Sequence, residues 1–293
     1  EVRWRTIMSQ LGHFLTIKSP TLKLAELDVN SLYDWRSMRF EKTPHTSLVT
    51  IRNEQATINA MFKFAFREGY TNIPKLEFAP IKIKTEQIGK RDTFTPEQYR
   101  TVTNYFRTWV AAKNCKTEKE KKDKEDVRDF ILILSNTAMR VGELLQLRWG
   151  DIIAKWEEKD EKGQRVEPVR ISIRAETSKH RTSRTIVCRG GEYFDRVRKR
   201  SNFTELDDLV FTNTVGGKFS RKVMDDLWKD LMEKTGFADY REKKLTYYSL
   251  RHYAISLRLR DPRATMFEVA KHAGTGTDFI MLHYGKLFEE DQT

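Results

Sequence analysis

Hydrophobic positions recur at spacings of three and four over most of this chain, and that period predicts helices before anything else. Trp4, Ile7, Met8, Leu11 and Leu15 make a first stripe. Asp28 or Asn30 is placed to cap a helix carrying Leu32 and Trp35. Ser47 opens a longer helix with Ile51, Ile58, Phe62 and Ala65 on one face, closed at Gly69. Pro74 and Pro80 end that region, and the polar stretch from Ile81 to Arg91 reads as a linker. The expected division is a small all-helical domain at 1–85, a connector at 86–94 and a second domain at 95–293.

The second domain opens on Thr95-Pro96-Glu97-Gln98, which joins an N-cap, a proline at the first helical position and a capping-box partner. That helix is predicted to run to Lys113, and the mixed charges from Lys116 to Glu125 to form a solvated loop or frayed end. Val127 to Asn136 reads as a buried helix. Past Trp149-Gly150-Asp151 the period changes: Val169, Ile171 and Ile173 alternate with polar residues, and Thr185-Ile186-Val187 follows after a polar turn, so a β-hairpin is expected. Helices return near 192–200 and 220–234. The fold class is mainly α with a small antiparallel β-sheet.

With 293 residues and 39% hydrophobic content, the chain can build two ordinary cores. The net charge of +12 adds a field that attracts polyanions. Nucleic acid is favoured over membrane, because the sequence contains no apolar run of spanning length and no signal-peptide core. Cys115 and Cys188 fit no metal-ligand spacing, which points to a reducing, cytoplasmic setting with no structural zinc. The chain begins at Glu1 rather than Met, as a fragment of a longer protein would.

The candidate chemistry starts from two arginines. Arg251 lies in an otherwise apolar helix start, where a guanidinium needs an anionic partner, and its five fixed donors suit a phosphate. Arg140 stands at a turn between two apolar helices with Glu143 three residues on; this spacing serves either an ordinary intrahelical ion pair or a carboxylate that orients the guanidinium. Lys179, Arg181 and Arg184 lie in or beside the hairpin turn, where they are either simply solvated or placed to enter a DNA groove. Lys82, Lys84, Lys90 and Arg91 give the linker region a basic character. Tyr284 lies near the end of a short terminal helix.

Together these residues resemble the tyrosine recombinase, or phage integrase, family, and the resemblance covers nearly the whole chain. The family's A-R-x-G-E-L is matched at Ala138 to Leu144, with Met139 between its Ala and Arg. Lys179 precedes Arg184 by five residues, L-R-H ends at His252, and Tyr284 follows an A-G-T turn by nine residues from Thr275. The resemblance implies a core-binding domain and a catalytic domain that close as a clamp on double-stranded DNA. It also implies a homo-tetramer on two duplexes, with accessory factors, and an N-terminal arm-binding domain ahead of Glu1.

It further implies that Tyr284 attacks the scissile phosphate to give a 3′-phosphotyrosyl link. Arg140 and Arg251 would hold the phosphate, Lys179 would protonate the departing 5′ oxygen, and Glu143 would steady the first arginine. No cofactor and no metal is required, since the covalent link stores the energy of the broken phosphodiester. The chain departs from the family at two places: Tyr248 stands where a histidine is common, and Thr275 where histidine or tryptophan is common. Neither is a good base near neutral pH. His252 is read as packing behind the site rather than contacting phosphate, and His272 as a helix-end histidine rather than one that faces the site. The expected function is a site-specific DNA recombinase of a mobile element; the alternative is a DNA-binding module of the same fold with lost or weak catalysis.

Overall fold

The computed structural model describes residues 8–10, 12–14, 17, 21, 23–83, 92–179 and 181–290, without the side chains of 285–290. The chain divides into two compact units, Glu1–Lys90 and Arg91–Thr293. Lys84, Lys90 and Arg91, most of the expected connector, and Trp4, Ile7, Leu11 and Leu15 of the first predicted stripe lie outside the described residues.

In the first unit, helices α1 (Trp35–Lys42) and α2 (Leu48–Arg67) pack around Leu32, Trp35, Ile51, Ile58, Phe62 and Leu76. Ser47 caps α2 as its position predicts, accepting from the Thr50 amide at 3.1 Å. Gly69 follows the helix at φ +77°, which a residue with a Cβ adopts only under strain. The cap expected at Asp28 or Asn30 is displaced: Asp28 accepts from the Asn30 amide in a local turn, and α1 begins only after Asp34. A buried ion pair joins the two helices. Arg39 donates Nε and Nη2 to Glu54 at 2.8 and 3.0 Å, and the Trp35 indole donates to the same carboxylate at 3.2 Å. Lys82 is exposed.

The second unit starts earlier than its first helix, because Phe94 is buried and meets Trp228 edge-on at 6.1 Å between ring centroids. Helix α3 (Pro96–Trp109) opens on the predicted capping box, with Thr95 Oγ1 on the Gln98 amide and Gln98 Oε1 on the Thr95 amide. The charged run 116–125 is not a loop. Thr117 caps helix α4 (Glu118–Thr137), and Lys119–Asp123, Lys122–Asp126 and Glu120–Lys124 pair one turn apart along its start. Lys124 is buried there, donating to the Asn114 carbonyl at 2.8 Å.

Helix α4 is the spine of this unit and packs on later helices and on the sheet. It leads into the short α5 (Val141–Leu144) and then strand β1 (Ile152–Lys155), which the sequence reading did not anticipate. A small ribbon of β2 (Glu158–Lys159) and β3 (Arg165–Val166) precedes β4 (Pro168–Ile173) and β5 (Arg184–Arg189). The main sheet is antiparallel in the order β1-β4-β5, with Ile173 opposite Arg184 and Val169 opposite Cys188. Val169, Ile171, Ile173 and Ile186 face the core, as their alternation requires.

The remaining helices are α6 (Gly191–Arg200), α7 (Arg221–Lys234), α8 (Tyr247–Leu259), α9 (Met266–Ala273) and α10 (Thr277–Glu290). Among the described residues no helix is long and apolar enough to cross a membrane.

Candidate active site

The site is assembled where the ends of α4 and α9 meet α5, α8 and α10. Helix α4 stops at Thr137 because Ala138 turns left-handed, φ 54° and ψ 20°, a conformation that costs a non-glycine residue roughly 1–2 kcal/mol. The turn aims the Ala138 carbonyl at α8, where Arg251 Nη1 donates to it at 2.5 Å. Arg251 is only 1% exposed, and its Nε has no hydrogen-bond partner among the described residues. Its pKa is lowered, first by burial and then by the charge of Arg140. A fully buried guanidinium with a spare donor and a second cation nearby is short of one anion.

Arg140 opens α5. Its amide and its Nη1 both donate to Glu143, each at 2.9 Å, and its Nη2 donates to the Gly274 carbonyl at 2.5 Å. Glu143 takes a further pair of bonds from Arg184, Nη1 at 3.1 Å and Nη2 at 2.7 Å. Burial pushes this carboxyl up, but the Arg184 hydrogen bonds and charge, with those of Arg140, hold it below the usual carboxylate range. Arg184 Nε then donates to the His272 carbonyl at 3.0 Å. The last carbonyls of α9 are therefore closed by two guanidinium groups, where the helix carries its negative end.

Gly274 ends α9 at φ +64°, and a Cβ there would stand 2.7 Å from the Arg184 guanidinium. Conformation and space both require glycine.

His272 donates Nε2 to the Thr137 carbonyl at 3.0 Å, so it ties the end of α9 to the end of α4. Burial, with Arg258 nearby, lowers its pKa to about 3, and the ring is neutral at ordinary pH. Thr275 is half-buried in the following turn, its amide bonded to the Ala270 carbonyl at 3.0 Å.

Tyr284, on α10, is 4% exposed and packs among Ala138, Ala254, Ile255, Val269, Ala270, Ala273 and Ile280. Burial pushes its phenol upward, while the charge of Arg251 pulls it down. Its hydroxyl makes a short hydrogen bond with His252 Nδ1. Tyr248 is half-buried one helical turn before His252, its ring edge-on to the imidazole at 4.9 Å. It acts electrostatically on both Arg251 and Tyr284.

Arg140, Glu143, Arg251, Tyr248, Thr275 and Tyr284 thus gather around the ends of α4 and α9. Lys179 stands exposed on the β4–β5 turn. Arg181 beside it is exposed at φ 53°. Two expectations need correction. Arg184 is not a free groove-reading cation, since its side chain is 10% exposed and its guanidinium is committed to Glu143 and His272. His252 does not merely pack; it holds the phenol. The carbonyls of Ala138 and Gly274, which orient the two arginines, carry no side-chain signal. His252 did carry one, being four residues after Tyr248 and so on the same helical face.

Two guanidinium groups near a phenol have the donors that suit a tetrahedral anion. The described architecture is shared with three solved structures. A XerH site-specific recombinase bound to a palindromic difH substrate matches 98% of this chain and 78% of its own, with a TM-score of 0.65 and 16% identity. The Tn1549 transposon integrase in complex with transposon right end DNA matches 100% of this chain and 93% of its own, at 0.59 and 14%. A lambda integrase dimer bound to a COC′ core site matches 96% and 87%, at 0.56 and 13%. These likenesses give the fold, that of the two-domain tyrosine recombinases. No curated protein matches the chain in sequence. Residues 108–261 match the phage integrase family, more than half of the chain, and the protein belongs to that tyrosine recombinase family.

Proposed function

We propose that the protein is a site-specific DNA recombinase of a mobile element, cutting and rejoining strands through a 3′-phosphotyrosyl intermediate on Tyr284. The observation that carries this reading is Arg251: buried, short of a partner at Nε, and beside Arg140 and the Tyr284 phenol. A phosphodiester supplies the missing anion, and in-line displacement gathers charge on its nonbridging oxygens, where guanidinium groups stabilise it.

In this mechanism Arg140 and Arg251 hold the phosphate, and Tyr284 attacks phosphorus. Lys179 protonates the 5′ oxygen from the β4–β5 turn, which DNA would have to draw inward. Glu143 keeps Arg140 aimed, and Tyr248 and Thr275 donate hydrogen bonds to phosphate oxygens. Residues 1–85 serve as a core-binding domain and 95–293 as the catalytic domain, with Lys82, Lys84, Lys90, Arg91 and Arg181 on the DNA backbone. Two duplexes and four protomers complete the reaction. The basic balance of +12 supports a DNA partner.

The test is a pool of nicked suicide duplexes of randomised sequence, from which covalent adducts are recovered and sequenced. Wild type should form a denaturant-stable adduct on a preferred sequence, and Tyr284→Phe should form none. A second reading, a DNA-binding module with weak catalysis, is favoured by the burial of the phenol. Sequence-selective binding without any adduct from the pool would establish it instead.

A further inference from the structure

The site contains a phenol that burial makes harder to ionise, and Tyr248 and Thr275 supply no base to help it. What does touch the phenol is an imidazole. His252 Nδ1 and the Tyr284 hydroxyl share a short hydrogen bond, from helices α8 and α10 that pack on each other. The imidazole is held by rings on two sides. Tyr248 lies edge-on at 4.9 Å on its own helix, and the rings of Tyr284 and His283 lie at 5.5 and 6.3 Å on α10.

Resting on the recombinase reading above, we infer that His252 is a catalytic residue, the base that takes the Tyr284 proton as the phenol attacks DNA. As the tyrosine oxygen bonds to phosphorus and the P–O5′ bond breaks, the phenolic proton passes to Nδ1. The electron pair leaving on O5′ takes a proton from the Lys179 ammonium. In religation both protons return: the 5′ hydroxyl gives one to the lysine amine, and His252 returns the other to the phenolate leaving group. Nδ1 can accept only in the tautomer that carries its proton on Nε2, so the ring must be neutral before cleavage.

Geometry supports the inference over simple packing. A positioning role needs only a hydrogen bond, which a serine or a backbone carbonyl would provide. Here the partner is an imidazole ring nitrogen, which can take the proton outright as well as share it. Arg251 also acts on the phenol through its charge, so removing the proton leaves a phenolate that an imidazolium and a guanidinium both stabilise. Tyr248, His283 and Tyr284 are titratable groups whose rings face the imidazole, and Arg251 adjoins it in sequence.

The test uses the duplex selected from the randomised pool, in single turnover, with adduct formation followed from pH 5 to 9. Wild type should accelerate with pH through an inflection in the imidazole range. His252→Gln and His252→Asn should lose that inflection and fall by about 10² to 10⁴ at neutral pH. His283→Asn should keep the inflection. Added imidazole should recover part of the rate in His252→Gly. A 5′-bridging phosphorothiolate needs no acid at its leaving group, so it should rescue Lys179→Ala and leave His252→Gln slow. Circular dichroism and melting of each variant separate these losses from misfolding. If His252→Gln reacts at the wild-type rate with the same pH profile, or if the thio substrate rescues it fully, the inference is overturned while the recombinase reading stands. No adduct from wild type with any member of the pool overturns both.

Discussion

Arg184 closes both terminal nitrogens of its guanidinium on the two carboxylate oxygens of Glu143, across 41 residues of sequence. The same carboxylate receives the Arg140 amide and Nη1, so four hydrogen bonds converge on one buried acid. Glu143 is therefore the joint between strand β5 and the arginine that opens α5. Arg184 in turn reaches the His272 carbonyl and so fastens the end of α9 to the same joint.

Replacing Arg184 with lysine should expose that dependence. Lysine keeps the charge but offers one point donor where the site needs a planar fork. Losing one charge-assisted bond is worth roughly 1.5–3 kcal/mol, so adduct formation should fall about 10- to 100-fold as Arg140 loosens. DNA affinity, measured on the Tyr284→Phe background, should change little. A parallel loss of affinity and adduct rate would show that Arg184 contacts DNA instead.

Arg251 predicts a trade of stability against activity. Its guanidinium is buried with a donor unmet, and such a group is often replaced by an apolar side chain at no cost to the fold. Arg251→Met should keep or raise the melting temperature in the absence of DNA while abolishing adduct formation. Inorganic phosphate should raise the melting temperature of wild type by mass action and leave the variant unmoved. Equal shifts in both proteins would place the anion elsewhere.

What could be foreseen from the chain divides along a physical line. The Ser47 cap, the Thr95 capping box, the Gly69 and Gly274 turns and the alternation through Val169, Ile171 and Ile173 are local, and neighbours in sequence determine them. The helix start at 118–125 was misread because its charges resemble a solvated run, although Lys119 and Asp123, and Lys122 and Asp126, already stood at helical pairing distance. Strand β1 is short and only half-buried, so its alternation is weak. The placement of Arg184 on Glu143 comes from tertiary packing and leaves no trace in spacing, and that of His252 on Tyr284 leaves only its position one helical turn after Tyr248. Arg140, Arg251 and Tyr284 stood out by their own positions, and resemblance to a family gave them roles. Spacing already paired Arg140 with Glu143, while the packed structure shows the Ala138 carbonyl on Arg251 and His252 on Tyr284.

Asp129 predicts how the fold responds to acid. It is fully buried on α4 and accepts from Arg128 at 2.9 and 3.1 Å, from Arg196 at 3.0 Å and from Arg200 at 2.8 Å, which ties α4 to α6. Burial raises its pKa, but the hydrogen bonds of Arg128 and Arg196 and the arginine charges outweigh it, so the folded value lies below the unfolded 3.8. A depressed carboxylate contributes stability that is complete above the unfolded value and lost as pH falls through the folded one. The contribution is therefore lost progressively as pH falls below about 4. Asp129→Asn should cost about 2–4 kcal/mol at pH 7, somewhat under a fully buried pair because Arg196 keeps solvent contact. It should also flatten the acid limb of the melting curve. An unchanged acid limb would remove Asp129 from the account.

Salt dependence separates the cations that meet DNA from those that build the site. Each phosphate neutralised by a lysine or arginine releases counterions, and the slope of log affinity against log salt steepens by about 0.9 for each one on a duplex. Lys179 and Arg181 are exposed on the β4–β5 turn, and Lys82 is exposed in the first unit. Alanine at any one of them should weaken binding of the Tyr284→Phe protein across all sequences and lower that slope by about one. Arg184 lies five residues beyond Lys179, but its guanidinium is already bonded to Glu143 and to the His272 carbonyl. Arg184→Ala should lower the melting temperature and leave the slope where it was. If its slope falls as far as that of Arg181→Ala, then DNA draws Arg184 away from Glu143, and the pairing seen without DNA is a resting state of the site.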